Sequence, residues 1–159
     1  MQTQSAVDQI RERLSGIADV YNRLVLLVGH SGSGRTAALR LLADAEKVPV
    51  LNVGADISRR LLDLTERQRV LQLPKLLKEA VAAYPSDLAL LDNTEVLFNP
   101  ALMQDPLRLL QGLSRDRTVV ASWLGDVDDR HLTYAVPEHP EFRQYPSDGL
   151  LFVCLREGM

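Results

Sequence analysis

The sequence has little of what marks several protein classes. Cys154 is its single cysteine, so no internal disulfide can form, and a reducing compartment such as the cytoplasm is favoured. Its apolar runs are short: residues 24–28 form one of five residues, whereas a helix that spans a bilayer needs about 20. Charged side chains at positions 8 and 11–13 stand where a signal peptide has its apolar core. We therefore expect neither a secreted protein nor a membrane protein.

Basic charge is not in excess either. Lysine and arginine number 18 against 21 aspartates and glutamates, which gives a formal net charge of −3, so no overall positive field marks a nucleic-acid-binding protein. With 46% hydrophobic and 25% charged residues among 159, the composition is that of a globular domain, and the length suits one well-cored domain and not two. A single domain over residues 1–159 is predicted.

The pattern of apolar residues predicts alternating helices and strands. Residues 1–20 carry apolar side chains at three- and four-residue spacing, which is typical of an amphipathic helix. Aliphatic runs that suit buried parallel strands occupy residues 24–28, 48–53, 88–92, 118–123 and 150–155. Helices are predicted to begin at Arg35, after an N-cap at Ser58, and at Pro74 and Pro106. This order predicts a three-layer α/β fold with a mostly parallel, five-stranded sheet, in which residues 125–149 form a long loop.

A glycine-rich segment joins the first predicted strand to the next helix. Residues 29–36 read Gly-His-Ser-Gly-Ser-Gly-Arg-Thr, which fits the phosphate-binding (Walker A) pattern GxxxxGK[ST] except that Arg35 replaces the lysine. Glycines let backbone N–H groups turn toward a phosphate, the following helix N-terminus favours an anion, and the Thr36 hydroxyl suits Mg²⁺. ATP with Mg²⁺ is the predicted ligand, and a purely structural glycine turn is the alternative. The residues expected to contact ATP are Gly29, Ser31, Gly32, Ser33, Gly34, Arg35, Thr36 and Ala37.

Acidic residues after the third predicted strand complete the expected site. Asp92 closes a buried strand, which is where P-loop proteins hold a second Mg²⁺ partner, so Thr36 and Asp92 are the predicted metal site. Asn93 follows, where many hydrolytic P-loop proteins have a glutamate, and an amide cannot accept a proton from water. Glu95 is the candidate base, with an exposed acid at a helix start as the alternative. The candidate catalytic residues are Arg35, Asp92 and Glu95.

The order of these motifs resembles one branch of P-loop proteins. One strand separates the glycine-loop strand from the strand that ends in Asp92, which resembles the AAA+ and RecA-like ATPases. In that branch the polar residue closing the next strand senses the terminal phosphate, a place that would fall to Ser122 or, as an alternative, Trp123; a purely structural strand end is the other alternative. Few residues follow position 155, so no helical lid is expected, and a partner or a second copy would close the site.

Three further segments carry a more specific resemblance. They are Leu91-Asp92-Asn93, residues 105–115, and Leu132-Thr133-Tyr134-Ala135 with Pro146 downstream. From about residue 21 to residue 146 the chain resembles BrxF, the small P-loop protein of type 3 BREX anti-phage systems in bacteria. The resemblance implies a cytoplasmic ATP-binding component of a multi-protein phage-defence complex, with other BREX proteins as partners. Arg35 departs from the lysine usual in that family, and this departure puts ATP turnover in question.

Charge is distributed unevenly along the chain. Residues 57–84 carry six basic and three acidic side chains, whereas residues 125–149 carry six acidic and two basic ones. Opposed patches suit head-to-tail assembly of copies, and contact with nucleic acid stays open. Arg143 is the candidate for an arginine donated to a neighbouring copy, an ordinary surface arginine being the alternative. His131 and His139 lie near aspartates, but their spacing matches no metal-ligand set.

Three functions follow from these patterns and remain open at this point. The first is a nucleotide-dependent switch, or a weak or partner-activated ATPase, in a phage-defence complex. The second is a non-hydrolysing adaptor whose P-loop is degenerate. The third is a small-molecule kinase, for which the acidic segment 125–149 makes a poor lid.

Overall fold

Five parallel strands form the centre of the sheet in this computed structural model, which describes residues 2–84, 86–135 and 141–155. Strand β1 (Leu24–Gly29) lies between β4 (Thr118–Val127) and β7 (Leu151–Leu155). It is buried along its whole length, as expected of a strand covered on both faces. The five-stranded parallel arrangement predicted from the sequence is confirmed. In spatial order the strands are β2 (Val50–Asn52), β3 (Leu88–Asp92), β4 (Thr118–Val127), β1 (Leu24–Gly29) and β7 (Leu151–Leu155).

Helices cover both faces of this sheet and give the fold its three layers. One hydrophobic cluster joins the first two α-helices to one face, and a larger cluster joins the other three α-helices to the opposite face. The predicted N-terminal helix and the helices that begin at Arg35 and Pro106 are confirmed. The helices are α1 (Gln2–Ser15), α2 (Arg35–Glu46), α3 (Val53–Leu61), α4 (Glu66–Ala82) and α5 (Pro106–Leu113). Short 3₁₀ helices are Ile17–Asp19, Thr94–Phe98 and Pro100–Leu102.

The predicted start of α3 is wrong. The helix begins five residues before Ser58, because the Asn52 side chain accepts a hydrogen bond from the Ala55 N–H at 3.0 Å and serves as the N-cap. Ser58 lies exposed within the helix. Since asparagine and serine both suit an N-cap, the choice between them depended on the position where β2 ends.

The predicted helix start at Pro74 is also wrong. α4 begins at Glu66, after a capping box in which Thr65 and Gln68 exchange side-chain bonds with each other's backbone N–H. Pro74 lies inside the helix and lacks the N–H that would bind the carbonyl four residues earlier. That carbonyl belongs to Val70, and it accepts instead from the Gln104 side-chain amide at 2.9 Å. A side chain from outside the helix thus replaces the missing backbone bond.

Residues 125–149 are not the long loop that the sequence predicts. β4 continues to Val127, and β5 (His131–Tyr134) and β6 (Arg143–Pro146) extend it as an antiparallel hairpin. Asp128 reverses the chain by accepting from the Arg130 and His131 N–H groups at 2.8 and 2.7 Å, and these bonds hold the pKa of its carboxyl below the usual value. Residues 136–140, which include His139, lie outside the described residues, as do residues 156–159.

Two further findings concern the helices of the described residues. No helix in the described part of the chain is long and apolar enough to cross a membrane. No separate helical lid domain is evident among residues 2–84, 86–135 and 141–155, but the first turn of α1 approaches the glycine-rich loop: a Cβ on Gly34 would lie 3.8 Å from the Thr3 hydroxyl oxygen.

Candidate phosphate-binding site

The glycine-rich loop adopts a conformation that depends on its glycines. Gly32 and Gly34 have φ of +82° and +100°, in the left-handed region that side chains disfavour. A Cβ on Gly29 would overlap the Ser33 side chain and lie 3.1 Å from the Leu155 carbonyl oxygen. The loop therefore folds closely over the end of β1 and leads directly into α2.

A groove at this loop has the properties that a phosphate needs. Its volume is about 290 Å³, and its lining consists of residues 32–36. The first N–H groups of α2 have no carbonyl within the helix to bind, which gives the groove a positive end. The Ser33 hydroxyl oxygen and Nη1 of Arg35 are buried without a hydrogen-bond partner. Unsatisfied donors around an open groove fit a phosphate group.

The two predicted metal ligands lie in contact. The Thr36 hydroxyl donates to the Asp92 carboxylate at 2.7 Å, although 56 residues separate them in the sequence. Asp92 is 6% exposed, and its other oxygen accepts from the Asn93 N–H at 2.9 Å. A hydroxyl and a carboxylate supply the hard oxygen ligands that Mg²⁺ takes in proteins. The site fits the ion, and the role of these two residues as its ligands stays a prediction.

Arg35, which lines the groove, forms an ion pair with Glu95. Nη1 of Arg35 lies 3.5 Å from Oε1 of Glu95, and the two side chains are 14% and 35% exposed. The atoms attract each other as an ion pair, but neither of them forms a hydrogen bond. Glu95 reaches this position because Asn93 adopts a left-handed conformation, with φ of 54°, before the 3₁₀ helix. Glu95 is thus a partly buried partner of Arg35 in the first turn of a 3₁₀ helix, and its role as a base stays a prediction.

The remaining predicted contact residues lie at the edge of the groove. Ser31 is exposed at the tip of the loop, and Ala37 is exposed in the first turn of α2. Ala37 has no polar side-chain atom, and the Ser31 hydroxyl forms no hydrogen bond within the described part of the chain. Their predicted contact with ATP therefore rests on the loop pattern alone.

The sequence predicts that Ser122 closes its strand, and this prediction is wrong. β4 continues for five residues beyond it, and Ser122 is fully buried. Its carbonyl accepts a bond of 2.5 Å from the Thr94 hydroxyl, whereas its own hydroxyl oxygen has no partner. Because Leu91 of β3 pairs with Ala121, Ser122 lies level with Asp92. The strand does not end at Ser122, and a contact of this residue with a phosphate stays a prediction.

A histidine–aspartate pair flanks the loop and was not predicted. Nε2 of His30 lies 2.9 Å from Oδ2 of Asp126, with both side chains largely exposed. Gly29 pairs with Leu124 in the sheet, so the continuation of β4 brings Asp126 beside the loop. No sequence signal would have found this pair, because it depends on β4 extending past the expected strand end.

An aromatic cluster connects the site to the hairpin. Phe98 stacks on Tyr134 with ring centroids 3.5 Å apart, and Trp123 meets both rings edge-on. Burial raises the pKa of the Tyr134 hydroxyl, and the Glu95 carboxylate raises it further, against the opposing effect of Arg35. Tyr134 is therefore within electrostatic reach of the Arg35–Glu95 pair.

The second hairpin strand is fastened to α5. The Tyr145 hydroxyl donates to Asp105 at 3.1 Å, and burial together with this carboxylate raises the pKa of Tyr145 to about 12. Arg143, the candidate for donation to a neighbouring copy, lies beside Tyr145 and opposes that rise. Its side chain is half-buried against the hairpin, and its role toward a second copy stays a prediction.

Most basic side chains of segment 57–84 have a partner within the chain. Ion pairs or backbone carbonyls hold five of its six basic side chains. These are Arg59 and Arg60 with Asp56, Arg69 with the carbonyls of Leu61 and Leu64, Lys75 with Glu79, and Lys78 with Asp116. No group of three potential metal ligands occurs among the described residues, to which His139 does not belong.

Comparison with known proteins gives distant structural neighbours. No protein-family model matches the sequence, and no curated protein matches it. The fold is similar to that of AMPPCP-bound DnaA from Aquifex aeolicus (17% identity, TM-score 0.44, 72% of this chain and 36% of that one). It is also similar to C. elegans PCH-2 (16% identity, TM-score 0.46, 99% of this chain and 42% of that one). Drosophila ORC bound to DNA is a further similar structure (19% identity, TM-score 0.47, 98% of this chain and 43% of that one). The chain spans less than half the length of each of these proteins.

Proposed function

We propose that the chain is a P-loop ATP-binding protein that works as a nucleotide-dependent switch, with weak or partner-activated ATPase activity, in a bacterial BREX phage-defence complex. The contact between Thr36 and Asp92 beside the groove is the observation that carries the nucleotide-binding part. The defence role rests on the resemblance of residues 21–146 to BrxF.

The residues of the groove divide the binding task between them. Ser33 and the N–H groups at the start of α2 hold phosphate oxygens, and the Arg35 guanidinium neutralises their charge through planar, bidentate contacts. Thr36 and Asp92 hold Mg²⁺, which when bound supplies charge neutralisation between the phosphates. Residues 32–36 line the groove and Thr36 contacts Asp92, which supports this division of roles.

Slow turnover follows from two of the same residues. Asn93 orients a water but cannot accept its proton. Glu95 can accept a proton, but its carboxylate faces Arg35 across 3.5 Å. Efficient hydrolysis therefore requires either a rearrangement of Glu95 or a group supplied by a partner.

Calorimetric titration with ATP, with and without Mg²⁺, tests the binding part. We expect micromolar binding that depends on Mg²⁺, and a loss of about tenfold or more for Thr36→Ala, because one metal ligand is removed. Gln72→Ala, at an exposed position of α4, is the matched control and should bind as the wild type does. Absence of binding at millimolar ATP would sink the proposal for the isolated chain.

A non-hydrolysing adaptor is the second candidate, and the Arg35 and Asn93 substitutions in the usual motif favour it. Phosphate release distinguishes the two functions when the tagged chain is isolated together with the other proteins of a type 3 BREX system. A switch should capture its partners differently in ATP and ADP and should lose this difference in Thr36→Ala. An adaptor should capture them equally in both nucleotides and release no phosphate.

A further inference from the structure

The pair formed by Arg35 and Glu95 is electrostatically matched but chemically unfinished. The side chains come from the phosphate loop and from the 3₁₀ helix after β3, two segments that the sheet brings to one edge. Their facing atoms, Nη1 and Oε1, are buried, lie 3.5 Å apart and form no hydrogen bond. Withdrawing charged groups from water without giving them hydrogen bonds is unfavourable. Each partner therefore retains unmet bonding capacity in this arrangement.

A phosphate would satisfy Arg35 better than Glu95 does. The guanidinium presents donors in a fork that matches two phosphate oxygens, and the groove holds further donors beside it. When no phosphate is present, the Glu95 carboxylate is the anion that faces the guanidinium donors. Glu95 and a phosphate bound at residues 32–36 thus compete for one cation, because both are anions that attract the same guanidinium.

We propose that Glu95 is an internal latch on the phosphate loop, which holds Arg35 until a nucleotide phosphate displaces it. This inference rests on the proposed function, since it names how ATP binding at that groove is regulated. Displacement releases the Glu95 carboxylate next to Asp92 and Asn93, at the edge where a water would be activated. Occupation of the groove and availability of the base are then linked through a single ion pair.

The latch also has a route to the rest of the molecule. Glu95 lies on the 3₁₀ helix Thr94–Phe98, and Phe98 at the end of that helix stacks on Tyr134 of the hairpin. Tyr134 feels the charges of both Glu95 and Arg35. Separation of the pair therefore changes the electrostatic field at Tyr134, which links the groove to the hairpin.

A double-variant cycle with MgATP as the probe tests the latch. Glu95→Gln removes the charge and keeps the shape, so MgATP should bind about tenfold tighter by calorimetry, the scale of one charge-assisted bond. In an Arg35→Ala background the same Glu95→Gln change should alter the dissociation constant less than about twofold, because no arginine remains to be released. Glu12→Gln, at an exposed position of α1, is the matched control for the loss of a carboxylate.

Each outcome of this cycle decides between distinct possibilities. Binding by the wild type with no gain in Glu95→Gln would overturn the latch and leave the proposed function standing. An equal gain in both backgrounds would also overturn it, since Glu95 would then repel phosphate without acting through Arg35. Binding by Glu95→Gln where the wild type binds nothing would support a latch that is fully closed. No binding by any variant, with circular dichroism showing that all are folded, would overturn the proposed function together with the latch.

Discussion

The Thr36 hydroxyl donates to the Asp92 carboxylate across 2.7 Å and joins the phosphate loop to the end of β3. Asp92 is almost fully buried and has no basic side chain among its hydrogen-bond partners in the described structure. A buried carboxylate without a cation is costly to the fold. Two hydrogen bonds and no hydrogen-bonded basic group hold this carboxylate, so its role as a metal ligand is a prediction that a substitution can test.

Asp92→Asn separates a role in metal binding from a role in the stability of the fold. The Asn amide can accept from the Asn93 N–H and donate to the Thr36 oxygen, so both hydrogen bonds survive while the charge is lost. We expect equal or greater stability in the absence of ligand, because a buried charge is removed, together with a loss of Mg²⁺-dependent ATP binding of about tenfold or more. Thermal melting and calorimetry measure the two effects. A large loss of stability with unchanged binding would show that Asp92 is structural.

Gly29→Ala tests the close approach of the loop to β1. The added methyl group would overlap the Ser33 side chain and lie 3.1 Å from the Leu155 carbonyl oxygen, so the loop or β7 would have to shift. We expect unfolding to become easier by about 1–3 kcal/mol, the usual cost of overpacking, in a urea titration. Gly112→Ala is the matched control: nothing lies within 4 Å of its added methyl group, and alanine favours the helix by about 0.5–1 kcal/mol.

Much of this architecture could be predicted because it depends on local patterns. The aliphatic runs of β1 and β3 cannot be satisfied except in a strand that is covered on both faces. The glycine spacing of the loop requires left-handed backbone at Gly32 and Gly34, which the structure has. Asp92 and Thr36 then meet because parallel strands carry their C-terminal ends to one edge of the sheet.

The features that could not be predicted depend on contacts between distant segments. The hairpin could not be predicted because β5 and β6 are four residues each and carry polar residues, with Pro146 in β6, so their pattern resembles that of a loop. The approach of Glu95 to Arg35 depends on left-handed backbone at Asn93, which single-sequence patterns do not specify. The sequence places the start of this helix at Pro74 instead of Glu66. Gln104, which replaces the backbone bond that Pro74 cannot form, lies 34 positions from the carbonyl that it contacts.

The contact between Gln104 and Val70 gives a prediction on stability. Gln104→Ala leaves the partly buried Val70 carbonyl without its donor, and Pro74 cannot supply an N–H in its place. We expect a loss of about 1–3 kcal/mol in the free energy of unfolding, measured in urea. Adding Pro74→Ala should recover much of this loss, because it restores the N–H that the helix lacks. Failure of the second substitution to rescue the first would mean that Gln104 acts through another contact.

The Tyr145 hydroxyl predicts how stability changes in alkaline solution. Burial and the Asp105 carboxylate raise its pKa from 10.0 to about 12 in the folded protein. Between these values the unfolded chain has lost the proton while the folded chain retains it, so the free energy of unfolding falls as the pH rises. Tyr145→Phe has no proton to lose, and its stability should decline less steeply over this range in urea titrations at successive pH values. Tyr21→Phe, at an exposed side chain, is the control for removing a hydroxyl, and an equal decline in wild type and Tyr145→Phe would contradict the assignment.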